Sequence, residues 1–185
     1  IDAVSLKQNV FELSIEAWDH YTSSLPAIPN AWLSTAKRRI GQIGIIDSVG
    51  TQLSNHRVLT STLMFSREIS RATNHDNVGL LMPTSSAGAI ANMAVLLRGK
   101  TVVNLNYSAP QAVVCESLVR ANIDCIITAK RFIKQLEKRG FDTEELFTGR
   151  KIIFMEDFAA SVGWPKKIAY TVITRVLPAF VLEKL

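Results

Sequence analysis

The sequence predicts an α/β fold in which a layered, mainly parallel sheet carries helices on both faces. Short apolar runs with almost no charge recur along the chain, as is typical of strands buried on both faces, at residues 78–82, 101–104, 125–128 and 151–155. A stretch long enough for a helix separates each run from the next. The chain has 185 residues, of which 48% are hydrophobic and 20% charged, so it suffices for one packed domain and is not intrinsically disordered.

The first helices are predicted in an extension that covers residues 1–40 and packs on the domain. Ser5 is expected to cap the first helix, whose apolar residues fall mostly on one stripe. Pro26 and Pro29 are expected to break the chain after it. A second short helix is predicted over residues 30–39.

The domain itself is predicted to cover residues 41–185. It begins with a hairpin over residues 42–53, whose turn is Ser48-Val49-Gly50. Ser54 is then expected to cap a long helix, and four charged residues mark the side of that helix that faces solvent: Arg57, Arg67, Glu68 and Arg71.

Residues 77–106 contain one complete strand–helix–strand unit. Pro83 ends its first strand, and Gly99 stands where a helix often ends in a left-handed residue. Three side chains after the strand can accept hydrogen bonds from the first N–H groups of the helix: Thr84, Ser85 and Ser86. Because a helix joins each strand of the sheet to the next, all four strands are expected to be parallel, with their carboxyl ends at one edge.

Further helices are predicted over residues 110–122 and 130–139, and the final segment, residues 166–185, is basic and amphipathic. Pro178 is expected to kink or end this last helix. Its apolar stripe either packs on the domain or lies on an anionic membrane surface, to which Lys166, Lys167 and Arg175 would be attracted. The stripe is predicted to contain Ala169, Val172, Ile173, Val176, Leu177 and Phe180.

Familiar catalytic and ligand-binding patterns are absent from the sequence. The histidines lack metal-ligand spacing, no glycine-rich dinucleotide or phosphate loop occurs, and a serine nucleophile at Ser86 fails because Thr84 replaces the first glycine of that motif. No catalytic, cofactor-binding or metal-binding residue is therefore predicted. The net charge of +5 selects no partner by itself, and basic residues are not interleaved with stacking aromatics, so no nucleic acid is expected.

The two cysteines, Cys115 and Cys125, are interpreted as buried thiols, so a reducing cytoplasm is the simplest setting. No uncharged apolar run is convincing as a membrane span, because polar residues and Pro83 interrupt the longest one. The expected location is therefore cytoplasmic.

Three stretches resemble the N-terminal subdomain of the AMP-forming acyl-adenylate, or acyl-CoA synthetase-like, superfamily. Residues 47–59 resemble its early D-x-x-G hairpin and helix, and residues 78–85 its V-x-L-L-L-P-N-S strand and turn. Residues 96–106 resemble its L-L-x-A-G-x-x-x-V-P-L-N segment, although Arg98 and Lys100 flank the glycine and Asn104 stands where proline is common.

One branch of the superfamily is more similar still, the synthetase part of bifunctional 2-acylglycerophosphoethanolamine acyltransferase/acyl-[acyl-carrier-protein] synthetases. Residues 106–109, 128–132 and 155–157 and the proline-containing basic helix resemble that branch. The resemblance implies an enzyme that activates a fatty acid with ATP and Mg²⁺ to an acyl-adenylate. The acyl group would then pass to the thiol of acyl carrier protein or CoA, for reacylation of lysophospholipid at the cytoplasmic face of the inner membrane.

The phosphate loop, the ribose-binding aspartate and the catalytic lysine of the family have no counterpart in this sequence. The chain is therefore expected to be a fragment that ends before the phosphate loop, holds no cofactor and is inactive alone. The alternative is a stand-alone, non-catalytic α/β binding or scaffold module. Substrate contacts are expected where the family motifs end, at the carboxyl edge of the sheet: Pro83, Thr84, Ser85, Asn104, Asn106 and Tyr107.

Overall fold

A computed structural model describes residues 3–48 and 50–185 of the chain. It begins with helices α1 (Ala3–Ser23) and α2 (Ile28–Arg38), the hairpin strands β1 (Ile43–Ile46) and β2 (Gln52–Ser54), and helix α3 (Asn55–Ala72). The next elements are β3 (Asn77–Leu81), α4 (Ser86–Leu96), β4 (Thr101–Asn104), α5 (Gln111–Arg120), β5 (Cys125–Thr128), α6 (Lys130–Lys138), α7 (Thr143–Phe147) and β6 (Lys151–Phe154). Three further helices follow: α8 (Met155–Ser161), α9 (Trp164–Val176) and α10 (Ala179–Leu182).

The main sheet is parallel throughout, as predicted, with strand order β4-β3-β5-β6. Strand β3 pairs with β4 on one side and with β5 on the other, and β6 completes the order beside β5. The predicted hairpin is also confirmed, because β1 and β2 pair antiparallel. Val49 of its predicted turn lies outside the described residues.

The two faces of the sheet are covered by different helices. Alternation along β3 places Val78 and Leu80 in a core with α3, α4 and α8, and Leu81 in a second core with α5, α6 and α7. Gly79 lies between them at a close approach, since a Cβ there would lie 3.1 Å from Cγ2 of Ile123 and would require that side chain to shift. The predicted α/β architecture with helices on both faces is confirmed.

Helix α3 lies between the sheet and an outer layer formed by α2, α9 and α10. Phe65 and Ile69 face the sheet, whereas Leu59 and Leu63 join a third core with residues of the outer helices. This position buries α3 on nearly all sides, including its polar residues Thr60, Thr62 and Ser66. Of the predicted cap residues, Ser54 is confirmed, because its hydroxyl accepts the Arg57 N–H at 3.3 Å.

The N-terminal helices differ from the prediction in two places. Ser5 lies inside α1 instead of capping it, and Pro29 lies in the first turn of α2, where its missing N–H leaves no bond unmade. Helix α2 packs through Leu33 and Ala36, which are buried. The large apolar side chains of α1 are instead 45–71% exposed: Val4, Leu6, Val10, Phe11, Leu13, Ile15, Trp18 and Tyr21.

Helix α9 packs on the domain mainly through residues outside the predicted stripe. Tyr170 and Thr174 are buried against α3, and of the predicted stripe only Ile173 and Leu177 pack inward. Pro178 ends α9, as predicted, and α10 follows it. Four apolar side chains at steps of four residues remain 55–73% exposed on the opposite side of α9, namely Trp164, Ile168, Val172 and Val176, and Phe180 of α10 is 66% exposed. We call these five residues the α9 stripe.

Two short helices, α7 and α8, were not predicted. Helix α7 is capped by Asp142, whose carboxylate accepts the N–H groups of Glu144 and Glu145. Helix α8 begins at Met155, so the last predicted strand is one residue shorter than expected. Of the two cysteines, Cys125 is buried as predicted, but Cys115 is only half-buried, at the margin of the core beneath α5.

Candidate functional site at the carboxyl edge of the sheet

The strand order creates a crevice at the carboxyl edge, between β3 and β5. The chain leaves β3 for β4 on one side and then returns past β3 to β5 on the other. The connecting helices α4 and α5 therefore lie on opposite faces, and their separation opens the edge. Ligands of open α/β sheets bind at such a switch point.

A cavity of about 600 Å³ lies at this crevice. Residues that follow three parallel strands contribute to it: Ser86 after β3, Ala129 after β5, and Met155 after β6. Helices α3, α4, α8 and α9 form the remaining walls. Most of the interior is apolar, with the following side chains: Met64, Ala87, Ile90, Met155, Phe158, Ala159 and Val162.

Charged side chains line part of the same cavity. Arg57 of α3 and Lys167 of α9 are both exposed cations on its lining. Glu156 is the only carboxylate on the described lining, and it is engaged with the start of α6, accepting the Lys130 N–H at 3.0 Å and the Arg131 N–H at 3.4 Å. The free charges of this cavity therefore favour an anionic head group attached to an apolar body.

A polar contact fixes the start of α4 beside the cavity. Ser86 donates its hydroxyl to Asp47 at 2.9 Å, and Asp47 also accepts the Thr51 N–H at 2.9 Å. Ser85 is the cap of the helix, as its hydroxyl accepts the Gly88 N–H at 3.1 Å. The hairpin is thereby joined to the turn after β3, and Ser86 has a structural partner in place of a catalytic one.

Four of the predicted substrate residues line a second, smaller cavity of about 280 Å³ between β3 and β4: Pro83, Thr84, Ser85 and Asn104. Its wall is held by a reciprocal amide pair, in which Asn104 donates to Asn92 at 3.1 Å and Asn92 donates back at 3.4 Å. Asn92 also donates to the carbonyl of Gly88 at 3.0 Å. The structure brings these residues together, and their contact with a substrate stays a prediction.

The other two predicted residues, Asn106 and Tyr107, do not line either cavity. Asn106 accepts the Ser108 N–H at 3.0 Å and so stabilises the turn after β4. Tyr107 packs edge-on against Phe132, with 5.0 Å between ring centroids, in the core under α5 and α6. Their positions are explained by the turn and the core.

The residues of the larger cavity were missed because they come from distant parts of the sequence. A usable signal existed only for the residues at the carboxyl ends of the predicted parallel strands, namely Ser86, Ala129, Met155 and Glu156. Arg57 was assigned to the solvent-facing side of α3, which is correct but does not reveal the cavity beside it. Within residues 3–48 and 50–185, no group of three His, Cys, Asp or Glu residues could hold a metal ion.

The architecture and the crevice together define the fold of the N-terminal subdomain of adenylate-forming enzymes. No family model matches the sequence. Among solved structures, the Klebsiella oxytoca NpsA N-terminal subdomain in complex with 3-hydroxybenzoyl-AMSN matches 76% of this chain and 33% of its own chain, with a TM-score of 0.58 and 14% identity.

Two other solved structures have the same fold. FmoA3, a nonribosomal peptide synthetase bound to α-methyl-L-serine-AMP, matches 76% of this chain and 16% of its own, with a TM-score of 0.61 and 14% identity. Bacillus subtilis O-succinylbenzoate coenzyme A synthetase (MenE), with ATP and magnesium, matches 71% of this chain and 34% of its own, with a TM-score of 0.57 and 13% identity. The chain thus spans about a third or less of these structures.

Proposed function

We propose that this chain is part of an AMP-forming ligase that activates a fatty acid with ATP and Mg²⁺ to an acyl-adenylate. The acyl group then passes to the thiol of an acyl carrier protein or CoA, for reacylation of lysophospholipid. The fold supports a ligase, because it matches proteins solved with adenylates, with adenylate analogues or with ATP. The resemblance of residues 106–109 and 155–157 supports the bifunctional 2-acylglycerophosphoethanolamine acyltransferase/acyl-[acyl-carrier-protein] synthetase branch.

The observation that carries the fatty-acid proposal is the 600 Å³ cavity at the crevice. A fatty acid has a hydrocarbon chain and one carboxylate, and the cavity has an apolar interior with Arg57 and Lys167 on its lining. Burying a hydrocarbon chain is favourable by about 0.8 kcal/mol for each CH₂ group. The two cations would hold the carboxylate near the carboxyl ends of β3, β5 and β6.

The role of this chain is therefore to bind and orient the acyl group. ATP with Mg²⁺ would supply the adenylyl group: a carboxylate oxygen would bond to the α-phosphorus of ATP, and the bond from that phosphorus to the departing pyrophosphate would break. The described lining of the cavity offers no free carboxylates for Mg²⁺, since Glu156 already caps α6. We therefore expect the purified chain to give no ATP–pyrophosphate exchange with fatty acid, ATP and Mg²⁺, and exchange above a blank would contradict its role as an acyl-binding part.

Binding of a fluorescent fatty acid, cis-parinaric acid, tests the cavity directly. The chain should bind it saturably, and Ala159→Phe should weaken binding by placing a ring in part of the cavity. Arg57→Gln should weaken binding about fivefold, as expected for loss of a solvent-exposed cation from the head-group site. The matched control is Arg71→Gln on the same helix, away from the cavity, which should leave affinity unchanged. Absence of saturable binding, or equal loss in both arginine variants, would contradict the proposal.

We further propose that the α9 stripe contacts the anionic cytoplasmic face of the membrane that carries the lysophospholipid. Its five apolar side chains are exposed, and Arg175 and Lys167 are exposed on the same helix, whereas Lys166 is half-buried. An amphipathic helix of this kind inserts its apolar side into the headgroup boundary. No helix in the described ranges is long and apolar enough to cross a membrane. Co-sedimentation with phosphatidylglycerol vesicles should occur at low salt and weaken as salt is added.

A further inference from the structure

Helix α1 is a long amphipathic helix that its own domain leaves uncovered. Every residue from Val4 to Tyr21 is exposed. At 3.6 residues per turn, the large apolar side chains of α1 lie within an arc of about 200°, and Glu12, Glu16 and Asp19 lie on the remaining side. Most helical stability in proteins comes from packing such an apolar face against another element. A contact for this face is therefore missing from a single copy of the described chain.

The α9 stripe is a second uncovered apolar surface in the same chain. Trp164 and Phe180, at its two ends, are 73% and 66% exposed. Arg175 follows Ile168 by seven residues and Trp164 by eleven, so it lies on the same side of α9 as the stripe. Its guanidinium group belongs to no ion pair within the described residues. The stripe thus combines apolar side chains with an exposed, unbalanced cation.

The two surfaces carry opposite charge. Helix α1 contains three acidic residues and one lysine, and none of its carboxylates belongs to an ion pair in the described ranges. Residues 164–182 contain three basic residues and no Asp or Glu. Opposite charges beside an apolar seam favour one partner and one orientation when helices pair. The acidic side of α1 also makes an anionic membrane an unsuitable cover for it.

The two surfaces are large enough for a stable interface. Helix α1 has 21 residues and is about 30 Å long, so it covers the 13 residues of α9, which extend about 20 Å. Aromatic side chains bury about 150–250 Å² each. Five of them are 59–73% exposed on the two surfaces: Phe11, Trp18, Tyr21, Trp164 and Phe180. With each surface used twice in a dimer, these rings contribute about 1,000 Å², and stable interfaces bury about 1,200–2,000 Å² in total.

We propose that α1 of one copy packs on the α9 stripe of a second copy, reciprocally, in a two-fold dimer. In a single copy both surfaces are present and both are uncovered, so each finds its cover in the other copy. The exchange closes on itself, because it satisfies both surfaces of both copies at once. Exchange of one element between identical chains is a common route to dimers.

The dimer would regulate the membrane contact proposed above, because both use the α9 stripe. In dilute protein with excess vesicles the stripe is free for lipid, whereas in concentrated protein without lipid α1 covers it. This regulation rests on the proposed membrane contact, but the dimer itself does not. Its test contains no lipid, so failure of the dimer and failure of vesicle binding are separate results.

Sedimentation velocity without lipid tests the dimer. The wild-type chain should pass from monomer to dimer as its concentration rises from about 0.1 to 100 μM. Phe11→Ser with Trp18→Ser on α1 should raise the dissociation constant about a hundredfold, and so should Val172→Ser with Val176→Ser on the stripe. The matched control is Val113→Ser with Val119→Ser on α5, which should dimerise as the wild type does. A monomer at every concentration, an open series of larger assemblies, or a dimer that survives either double variant would overturn the proposal.

Charge reversal identifies the paired helices. Arg175→Glu should weaken the dimer about tenfold, because it places a carboxylate opposite the acidic side of α1. A second substitution on α1 should restore it, Asp19→Lys if the two helices run parallel and Glu12→Lys if they run antiparallel. Restoration by one of the two would confirm the contact of α1 with the stripe. Restoration by neither would show that α1 does not pack on α9.

Discussion

Helix α3 has two contacts of different chemistry, one with the sheet and one with α9. The sheet contact is apolar, with Phe65 and Ile69 packed against Val78, Leu80 and their neighbours. The α9 contact includes a chain of hydroxyl groups, in which Thr60 and Thr174 share a hydrogen bond of 2.7 Å and His56 lies 3.1 Å from the same Thr174 oxygen. Apolar contacts depend on area and volume, whereas hydroxyl contacts depend on matched partners.

This difference means that the two contacts should fail for different reasons. The sheet contact should be weakened by a substitution that leaves a cavity in the core, or by ionisation of a group buried there. The α9 contact should be lost when one hydroxyl partner is removed without the other. The exposed side of α9, which packs against neither the sheet nor α3, should tolerate polar substitution without loss of stability.

The largest effect is expected for Leu80→Ala in the sheet contact. Leu80 is 3% exposed and lies in the core between the sheet and helices α3 and α4. Its removal should lower the free energy of unfolding by about 3 kcal/mol, through lost burial and the cavity that remains. The measurement is the midpoint of urea unfolding, which should fall while the dependence of the unfolding free energy on urea concentration stays unchanged. Val119→Ala, on the exposed side of α5, is the control and should change stability by less than about 0.5 kcal/mol.

The next effect concerns Cys125 in the same core. Burial, together with the charge of Asp124, raises the pKa of its thiol to about 11. In the unfolded chain the thiol ionises near its ordinary pKa of 9.0, so the unfolded state loses the proton first. The stability contributed by the neutral thiol is therefore complete below about pH 9 and is lost as the pH rises towards 11, by about 2 kcal/mol.

The measurement for Cys125 compares urea unfolding of the wild type and Cys125→Ala between pH 8 and 11. The difference in unfolding free energy between the two proteins should decline across this range, while lysine and tyrosine titrations affect both alike. A constant difference would show that the thiol ionises as readily in the folded chain as in the unfolded one.

The sheet contact could be predicted from the sequence because its signals are local. Pro83, the cap at Ser85 and Gly99 define the ends of one strand and one helix, and Gly99 indeed has a φ of +66°. The same holds for the parallel order of the strands, which follows from the helices between them. Even the missed helix α7 has a local signal, an aspartate cap at Asp142.

The α9 contact could not be predicted because its signal is not local. Thr60 and Thr174 are 114 positions apart, and each is an ordinary polar residue until the other is placed beside it. Apolar periodicity therefore placed Val172, which is 55% exposed, on the stripe that was expected to pack on the domain or to lie on a membrane, and it overlooked Thr174. The larger cavity was missed for the same reason, since Arg57 and Lys167 are far apart in the sequence and line the same cavity only in the folded chain.

A smaller effect is expected at the hydroxyl contact. Thr174→Val keeps the volume but leaves the buried Thr60 hydroxyl without its partner, so stability should fall by about 1–2 kcal/mol. The double variant Thr60→Val, Thr174→Val removes both hydroxyls and should recover part of that loss. Urea unfolding of the two single variants and the double variant checks this. Strict additivity of the two single effects would mean that the hydroxyls do not depend on each other.

The smallest effect on stability is expected on the α9 stripe, where Val172 and Val176 are 55% and 70% exposed. Replacing both by serine should change the free energy of unfolding by less than about 0.5 kcal/mol, because neither packs on α3. The same change should abolish co-sedimentation with phosphatidylglycerol vesicles, since it removes apolar side chains from the headgroup boundary. The control is Val113→Ser together with Val119→Ser, which changes two exposed valines of α5 and should leave vesicle binding intact. Undiminished vesicle binding by the stripe variant would show that this side of α9 does not contact the membrane.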